Sequence, residues 1–189
     1  MALPEALARA AGMLRCPACG DSLGVGESGS SLVCDGGHRF DVARQGYVNL
    51  LGGPQPANAD TGEMVAARER VLGSGLLDPV SDAVAAAVVE AIGRGAAQDA
   101  AGLRGTLPRP LIVDAGAGTG HHLARAVEVV AESVGIAADV SVAAARRAAR
   151  AHGRVASVVA DTWRSLPVVD GAADALLCLF APRNAAEFA

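Results

Sequence analysis

Four residues near the amino terminus have the types and the spacing to hold a metal ion. Cys16-Pro17-Ala18-Cys19, then Cys34 and His38, read C-x2-C-x14-C-x3-H. Three thiolates and one imidazole close a tetrahedral zinc site and leave no position open for catalysis. The spacer from Asp21 to Val33 carries Gly24, Gly26 and Gly29 between short alternating pieces, so it can fold back as a hairpin and bring Cys34 and His38 beside the first pair. The competing reading is a redox CxxC with an unrelated third cysteine. The metal is taken as structural, standing in for a core in a piece too small to have one. Cys178, inside the apolar run from Ala175 to Ala181, reads as a buried strand residue without chemistry.

A second chemical pattern starts at Val113. Asp114-Ala115-Gly116-Ala117-Gly118-Thr119-Gly120 follows an apolar run and opens a helix. Such glycines let backbone approach a ligand closely, and a helix start offers unpaired N–H groups. G-x-G-x-G lacks the last spacing of the dinucleotide fingerprint. D-x-G-x-G-x-G is instead the form associated with S-adenosylmethionine (SAM) methyltransferases, where the loop passes under the methionine part of the cofactor. The expected cofactor residues are Asp114, Gly116, Gly118, Gly120 and His121 of the loop and helix start, with Asp139, Asp161 and Trp163 downstream. Asp139 ends the next strand about twenty residues on, where a carboxylate can bond both ribose hydroxyls. Asp161 and Trp163 follow the third strand, where adenine is usually held. Taken singly, Asp139 and Asp161 read as loop acids or helix caps and Trp163 as a packing residue; their order after this loop favours the cofactor reading. His121 and His122 are not read as metal ligands, because no third ligating group lies near them in sequence.

Elements must position these groups. Leu111–Asp114, Val134–Asp139, Val155–Ala160 and Asp174–Phe180 read as strands, separated by helical stretches over about 120–133 and 141–151. Alternating strands and helices predict an α/β fold with a parallel, doubly wound sheet and ligands at the strand carboxyl ends. Residues from about 60 to 93 read as helices: Asp78 offers an N-cap, Pro79 the first helical position, and Gly93 a stop. Ala96 to Pro110 reads as a linker. The expected organisation is a ribbon over 1–52, a helical segment and linker over 53–110, and the first part of a cofactor domain over 111–189.

Composition narrows the classes. The 189 residues carry 16 Lys plus Arg, all of them Arg, against 20 Asp plus Glu, a net charge of −4. That excludes a uniformly basic nucleic-acid coat, so any RNA contact must use a local patch. No run of 18 or more apolar residues suggests a membrane span. Glu5 and Arg9 interrupt the apolar start, which argues against a secretory signal and for a cytoplasmic protein.

Together these patterns resemble the large-subunit ribosomal RNA guanine-N1 methyltransferases of the RlmA and TlrB type. The resemblance runs through LRCPACGDSL and LVCDGGHRFDVARQGYVNLL, through ADTGEMVAARERVLGSG and VDAGAGTGHHL, to FAPRNAAEFA at the end. The most specific piece is Gly37 to Leu51. The resemblance implies a Rossmann-like SAM-dependent methyltransferase sheet behind a zinc ribbon that helps to recognise RNA. It also implies methyl transfer to N1 of a guanine in a stem-loop of the large rRNA, with macrolide resistance in some members. Family chains continue past the FAPRNAAEF segment, so the C-terminal strands are expected to be missing. If the chain stops at Ala189, the fourth strand is an unblunted apolar edge. Self-association as a homodimer or a loosely packed sheet would follow, with poor solubility and little activity.

N1 of guanine must lose a proton around the time of attack, and no His or Glu in the sequence is visibly placed as that base. Pro182, Arg183 and Asn184, just after the fourth strand, are where related enzymes hold the target base. Asn184 suits its Watson–Crick edge, and Arg183 a phosphate or the N1 anion; a plain loop is the alternative. Phe40 and Tyr47 suit either stacking on bases or the ribbon's own core. Two other functions stay open: SAM-dependent methylation of a small metabolite, and a non-catalytic zinc-ribbon RNA-binding module.

Overall fold

The computed structural model describes residues 2–99 and 109–188. The ribbon begins with helix α1 (Glu5–Ala10) and continues as β1 (Gly24–Val25), β2 (Ser31–Val33) and β3 (Arg39–Asp41), paired antiparallel in that order. The expected hairpin is β1–β2, with Val25 opposite Leu32. A second, five-stranded sheet is built from β4 (Tyr47–Asn49), β5 (Leu111–Ala115), β6 (Val134–Asp139), β7 (Val155–Val159) and β8 (Ala175–Leu177). Its order is β4-β7-β6-β5-β8 and every pairing in it is parallel. The α/β expectation holds, and three of the four expected strands keep their bounds to within one residue. The fourth is shorter, ending at Leu177, because Phe180 turns into a left-handed conformation (φ 55°) and leaves the sheet 82% exposed. Cys178 therefore sits just past the strand, half-buried, rather than within it.

β4 was not foreseen as a strand of this sheet. It leaves the ribbon and pairs with β7, Val48 against Val158. Tyr47 is buried against Ala145 and Val159, so it is a core residue, and Phe40 also packs on the core.

Helices α2 (Gly62–Leu72) and α3 (Asp78–Asp99) precede β5; α4 (His121–Val129) and α5 (Val142–Ala148) connect the strands. Gly93 does not stop α3, which runs on to Asp99. A lone glycine costs a helix only about 1 kcal/mol relative to alanine, too little to end one in an alanine-rich stretch. Residues 96–99 of the expected linker are thus helical, and 100–108 lie outside the described residues.

Alternation along the strands divides the core. Leu111 and Val113 of β5, Ile136 of β6 and Val158 of β7 face α1 and the ribbon, where they meet Leu7, Leu14, Leu23 and Leu32. Ile112, Ala137 and Val155 face the other way, onto Leu123 and Val127 of α4 and Val88 of α3. The ribbon and the sheet share one continuous core. An isolated antiparallel bridge between Leu14 and Val168 seals the join, flanked by bonds from the Arg15 N–H to the Pro167 carbonyl (3.1 Å) and from the Val169 N–H to the Met13 carbonyl (2.9 Å). No helix among the described residues is long and apolar enough to cross a membrane.

At Gly135, β6 passes close to α4. A Cβ there would stand 2.9 Å from Val127 and 3.2 Å from Leu123, both fully buried. Gly135→Ala should therefore destabilise the fold by roughly 1–3 kcal/mol through overpacking. A thermal melt with an unchanged midpoint would contradict this account of the α4 contact.

Candidate metal centre and ligand cavity

The ribbon folds into two short knuckles. In the first, the Gly20 N–H donates to the Cys16 carbonyl (2.9 Å); in the second, the Gly37 N–H donates to the Cys34 carbonyl (2.9 Å). Both glycines have a positive φ (84° and 80°), the turn each knuckle needs. The knuckles place Cys16, Cys19, Cys34 and His38 so that their ligating atoms lie within 4.8 Å of one another. Cys19 Sγ is 3.5 Å from Cys34 Sγ, and Cys34 Sγ is 3.3 Å from His38 Nδ1. A tetrahedral zinc ion requires edges of about 3.8 Å between sulfurs and about 3.6 Å from sulfur to nitrogen. These two separations fall a few tenths of an ångström short of those edges and the rest stay within 4.8 Å, so the four residues fit zinc after small adjustment, and all four expected ligands come together. Cys16 and Cys34 belong to the shared core, so the metal is anchored to the sheet as well as to the ribbon.

The second site lies at the carboxyl ends of the strands. The chain runs outward from β5 through β6 to β7, then returns to the other side of β5 as β8, which sets the switch point between β5 and β8. The loop after β5 and the loop after β8 meet there. A Cβ on Gly116 (φ 80°) would lie 2.4 Å from that of Ala181, so only glycine fits. A cavity of about 590 Å³ opens above them, lined by Gly116, Asp139, Asp161, Trp163, Phe180 and Pro182 on the sheet side. Its opposite wall was not expected. Residues Pro56, Asn58, Ala59, Asp60 and Arg68, which fall in the expected helical segment and linker over 53–110, form a strap across the opening. The strap is tied to α5: Ser141 Oγ donates to the Asp60 carbonyl (2.7 Å) and the Val142 N–H donates to Gln55 Oε1 (2.8 Å). Thr61 caps α2, accepting from the Met64 N–H (3.3 Å). The sequence signal for the strap was the family-like stretch from Ala59 to Gly75, which carries no spacing typical of a site.

The expected cofactor residues do not all share this cavity. Asp139 ends β6 with both oxygens in use: Oδ2 accepts from the Gly118 N–H and Oδ1 from the Ser141 N–H, each at 2.8 Å. Burial raises its pKa against the pull of these two donors. Asp161 accepts from the Trp163 N–H (3.1 Å), and Trp163 stays 61% exposed at the rim. Gly118 and Gly120 shape the loop beside the cavity, with φ of 54° and 75°. His121 turns away. It lines a separate hollow of about 450 Å³ with Asp78, Asp82, Arg125 and His152. His122 is buried between α3 and α4, its Nδ1 2.9 Å from Ser81 Oγ, a structural tie. Pro182 lines the cavity; Asn184 donates instead to the Trp163 carbonyl (2.5 Å) and so joins two rim loops, while Arg183 points outward, exposed.

Asp114 lies beneath the loop, 2% exposed, and its Oδ1 has no hydrogen-bond partner. Burial, and then the nearby Asp139 carboxylate, push it up to about 7. An orphaned buried carboxyl next to a cavity fits a ligand that brings a cationic group.

Fold and sites define a parallel α/β sheet with an N-terminal zinc ribbon and a nucleoside-sized cavity at its switch point. Residues 14–55 match the zinc-ribbon family described as RlmA, N-terminal. The chain is 49% identical over 178 residues to a putative 23S rRNA (guanine-N(1)-)-methyltransferase of Micromonospora griseorubida, covering 93% of this chain and 60% of that protein. It is 48% identical over 174 residues to the 23S rRNA (guanine(748)-N(1))-methyltransferase of Streptomyces fradiae, covering 92% and 57%. A putative methyltransferase of the same name from Bacillus subtilis is 34% identical over 182 residues, covering 93% and 59%. The chain spans about 60% of the length of the curated relatives it matches.

Two outcomes follow. Metal analysis should find one zinc per chain, and because Cys16 and Cys34 sit in the shared core, chelation should lower the melting temperature of the whole protein in a single transition. A zinc-free protein, or a ribbon that melts alone, would contradict this. For Asp114 the sign is set by its raised pKa. Between the ordinary carboxyl value of 3.8 and about 7 the folded state holds a proton that the unfolded state has lost, so stability falls as pH rises through that window. Asp114→Asn should then raise the melting temperature at pH 8 by at least about 3 °C, the shift that ~1 kcal/mol gives a chain of this size. The gain should shrink towards zero at pH 5; an equal effect at both pH values would show that the carboxyl does not titrate there.

Proposed function

We propose that this protein transfers a methyl group from SAM to N1 of a guanine in large-subunit rRNA. The observation that carries the reading is the cavity at the switch point, lined by Asp139 at the end of β6 and floored by the glycine loop with the orphaned Asp114 carboxyl buried beneath it, on a chain similar to proteins named for that reaction. The donor set fits SAM: Asp139 keeps acceptor capacity for ribose hydroxyls beyond its two N–H bonds, and the Gly116–Gly120 backbone passes under the methionine part. Asp114 faces the positive charge from below, and Asp161 and Trp163 border the adenine. His121, in the other hollow, takes no part.

SAM supplies an electrophilic methyl group on a sulfonium, displaced in line. The protein's own contribution is alignment of donor and acceptor, worth up to ~7–11 kcal/mol. Pro182, which lines the cavity, borders the guanine, and the exposed Arg183 beside it is left to meet a phosphate of the RNA. Asn184 must exchange its bond to the Trp163 carbonyl for the base edge, so target binding and adenine binding are coupled through that one amide. The ribbon, fixed to the sheet by the shared core, presents an RNA-facing surface beside the cavity. Zinc there is structural. Macrolide resistance belongs to the same proposal, as a consequence of methylating the drug's ribosomal site.

N1 methylation blocks the Watson–Crick edge, so reverse transcriptase halts at the modified base. Expression of this protein in a host lacking the activity should create one new stop in the large rRNA. Asp139→Ala should weaken SAM binding about tenfold to a hundredfold, as hydrogen bonds to a charged group are worth ~1.5–3 kcal/mol. A methylated metabolite with no new stop would favour the small-molecule reading; zinc and RNA binding without SAM binding would favour the non-catalytic one.

A further inference from the structure

The cavity's ionisable lining is unbalanced. Three carboxylates face it, from Asp60, Asp139 and Asp161, and among the described residues a single cation, Arg68, lines it with them. Arg68 comes from the strap, on α2, and its guanidinium is paired with the Asp60 carboxylate. It reaches across the glycine loop: a Cβ on Gly118 would lie 3.4 Å from Arg68 Nη1 and 3.6 Å from its Cδ. The side chain is about half exposed, at 46%, so part of its donor fork remains open.

Four N–H groups of the loop beneath are already engaged. The N–H groups of Gly116 and Ala117 donate to the Ala138 carbonyl (2.9 and 3.1 Å), that of Gly118 to Asp139, and that of Gly120 to the Ala117 carbonyl (2.9 Å). A ligand whose amino-acid end carries a carboxylate would meet three like charges and spent backbone donors. Arg68 is the group that can receive it. A guanidinium has five donors in a planar fork, enough to hold Asp60 on one side and a second carboxylate on the other.

Resting on the SAM reading above, we propose that Arg68 recognises the carboxylate of the cofactor's amino-acid end and that Asp60 acts as a positioning residue holding the guanidinium over the loop. Arg68 thereby decides which adenosyl sulfonium compounds the cavity accepts. The strap is supported independently of Arg68 by the Gln55 and Ser141 bonds and by the Arg147 pair with Glu69 (2.9 Å), so the side chain can be changed without removing the wall.

The test is calorimetric binding of SAM and of decarboxylated SAM, which differ only in that carboxylate, to the whole chain. The unaltered protein should prefer SAM. Arg68→Met should weaken SAM about tenfold to a hundredfold, the range for a charge-assisted pair, and change decarboxylated SAM less than about threefold, so that the preference collapses. Arg68→Lys should recover part of it, as a point charge without the fork. Circular dichroism melts of both variants check that the fold is kept. Equal weakening of both ligands would assign Arg68 to the wall alone. Unchanged SAM binding would place the carboxylate at the start of α4; either result overturns the inference. If the unaltered chain binds both ligands equally well, the cofactor reading stands and the inference fails. If it binds neither, the cofactor reading fails and takes the inference with it.

Discussion

One apolar core holds both sites in place. Leu7 of α1, Leu14, Leu23 and Leu32 of the ribbon, and Leu111, Ile136 and Val158 of the sheet are all fully buried against one another. A ribbon of this size has too little surface to bury a core of its own, and here it borrows one. The face of the sheet that it covers would otherwise expose a row of branched residues. A bound zinc and the sheet would therefore stabilise the same body: the metal would fix the knuckles, the knuckles carry Cys16 and Cys34, and those two residues belong to the wall of leucines. The bridge from Leu14 to Val168 extends the join to the loop beyond Trp163, so the ribbon is fixed relative to the rim of the cavity.

The legible parts of this architecture were those in which one residue type at one spacing has one use. C-x2-C-x14-C-x3-H allows little beyond a metal knuckle pair, and the four atoms do converge. Val134–Asp139 was readable to the residue because it is apolar on both faces and ends at an acid before a helix cap at Ser141. What was not legible came from tertiary pairing. Tyr47–Asn49 is too short to announce itself as a strand, and its parallel partner lies more than a hundred residues away. Gly93 reads as a helix stop by local rule, yet the packing of α3 along α4 outweighs it. His121 adjoins the glycine loop in sequence, but the helical turn that begins there carries it to the other hollow. The strap was hidden for a different reason. Asp60 and Arg68 are an ordinary ion pair until the fold lays them over Gly118.

Asn184 shows how a residue can be placed near the expected position with another immediate partner. It stands at the rim, as the sequence suggested, but its amide is spent on the Trp163 carbonyl. A side chain that joins the loops after β7 and β8 can report the occupancy of one to the other. The loops after β5 and β8 are locked more rigidly, since Gly116 and Ala181 leave no room between them. The cavity thus has a fixed floor and a rim held by exchangeable bonds.

The electrostatics of that floor explain why the protein tolerates an orphaned acid. Asp114 cannot ionise cheaply: it is buried, and Asp139 stands close with a charge of the same sign. Asp139 cannot be relieved by the loop alone, because two N–H bonds only partly offset its burial. In a low-dielectric pocket the remaining repulsion is strong, and removing it needs a positive charge that the sheet does not contain. Arg68 supplies part of it from above, shared with Asp60. A cationic ligand would supply the rest from within the cavity, and would be bound more tightly for the cost that its absence imposes. The unpaired carboxyl would then favour a cationic ligand over any neutral compound of the same shape.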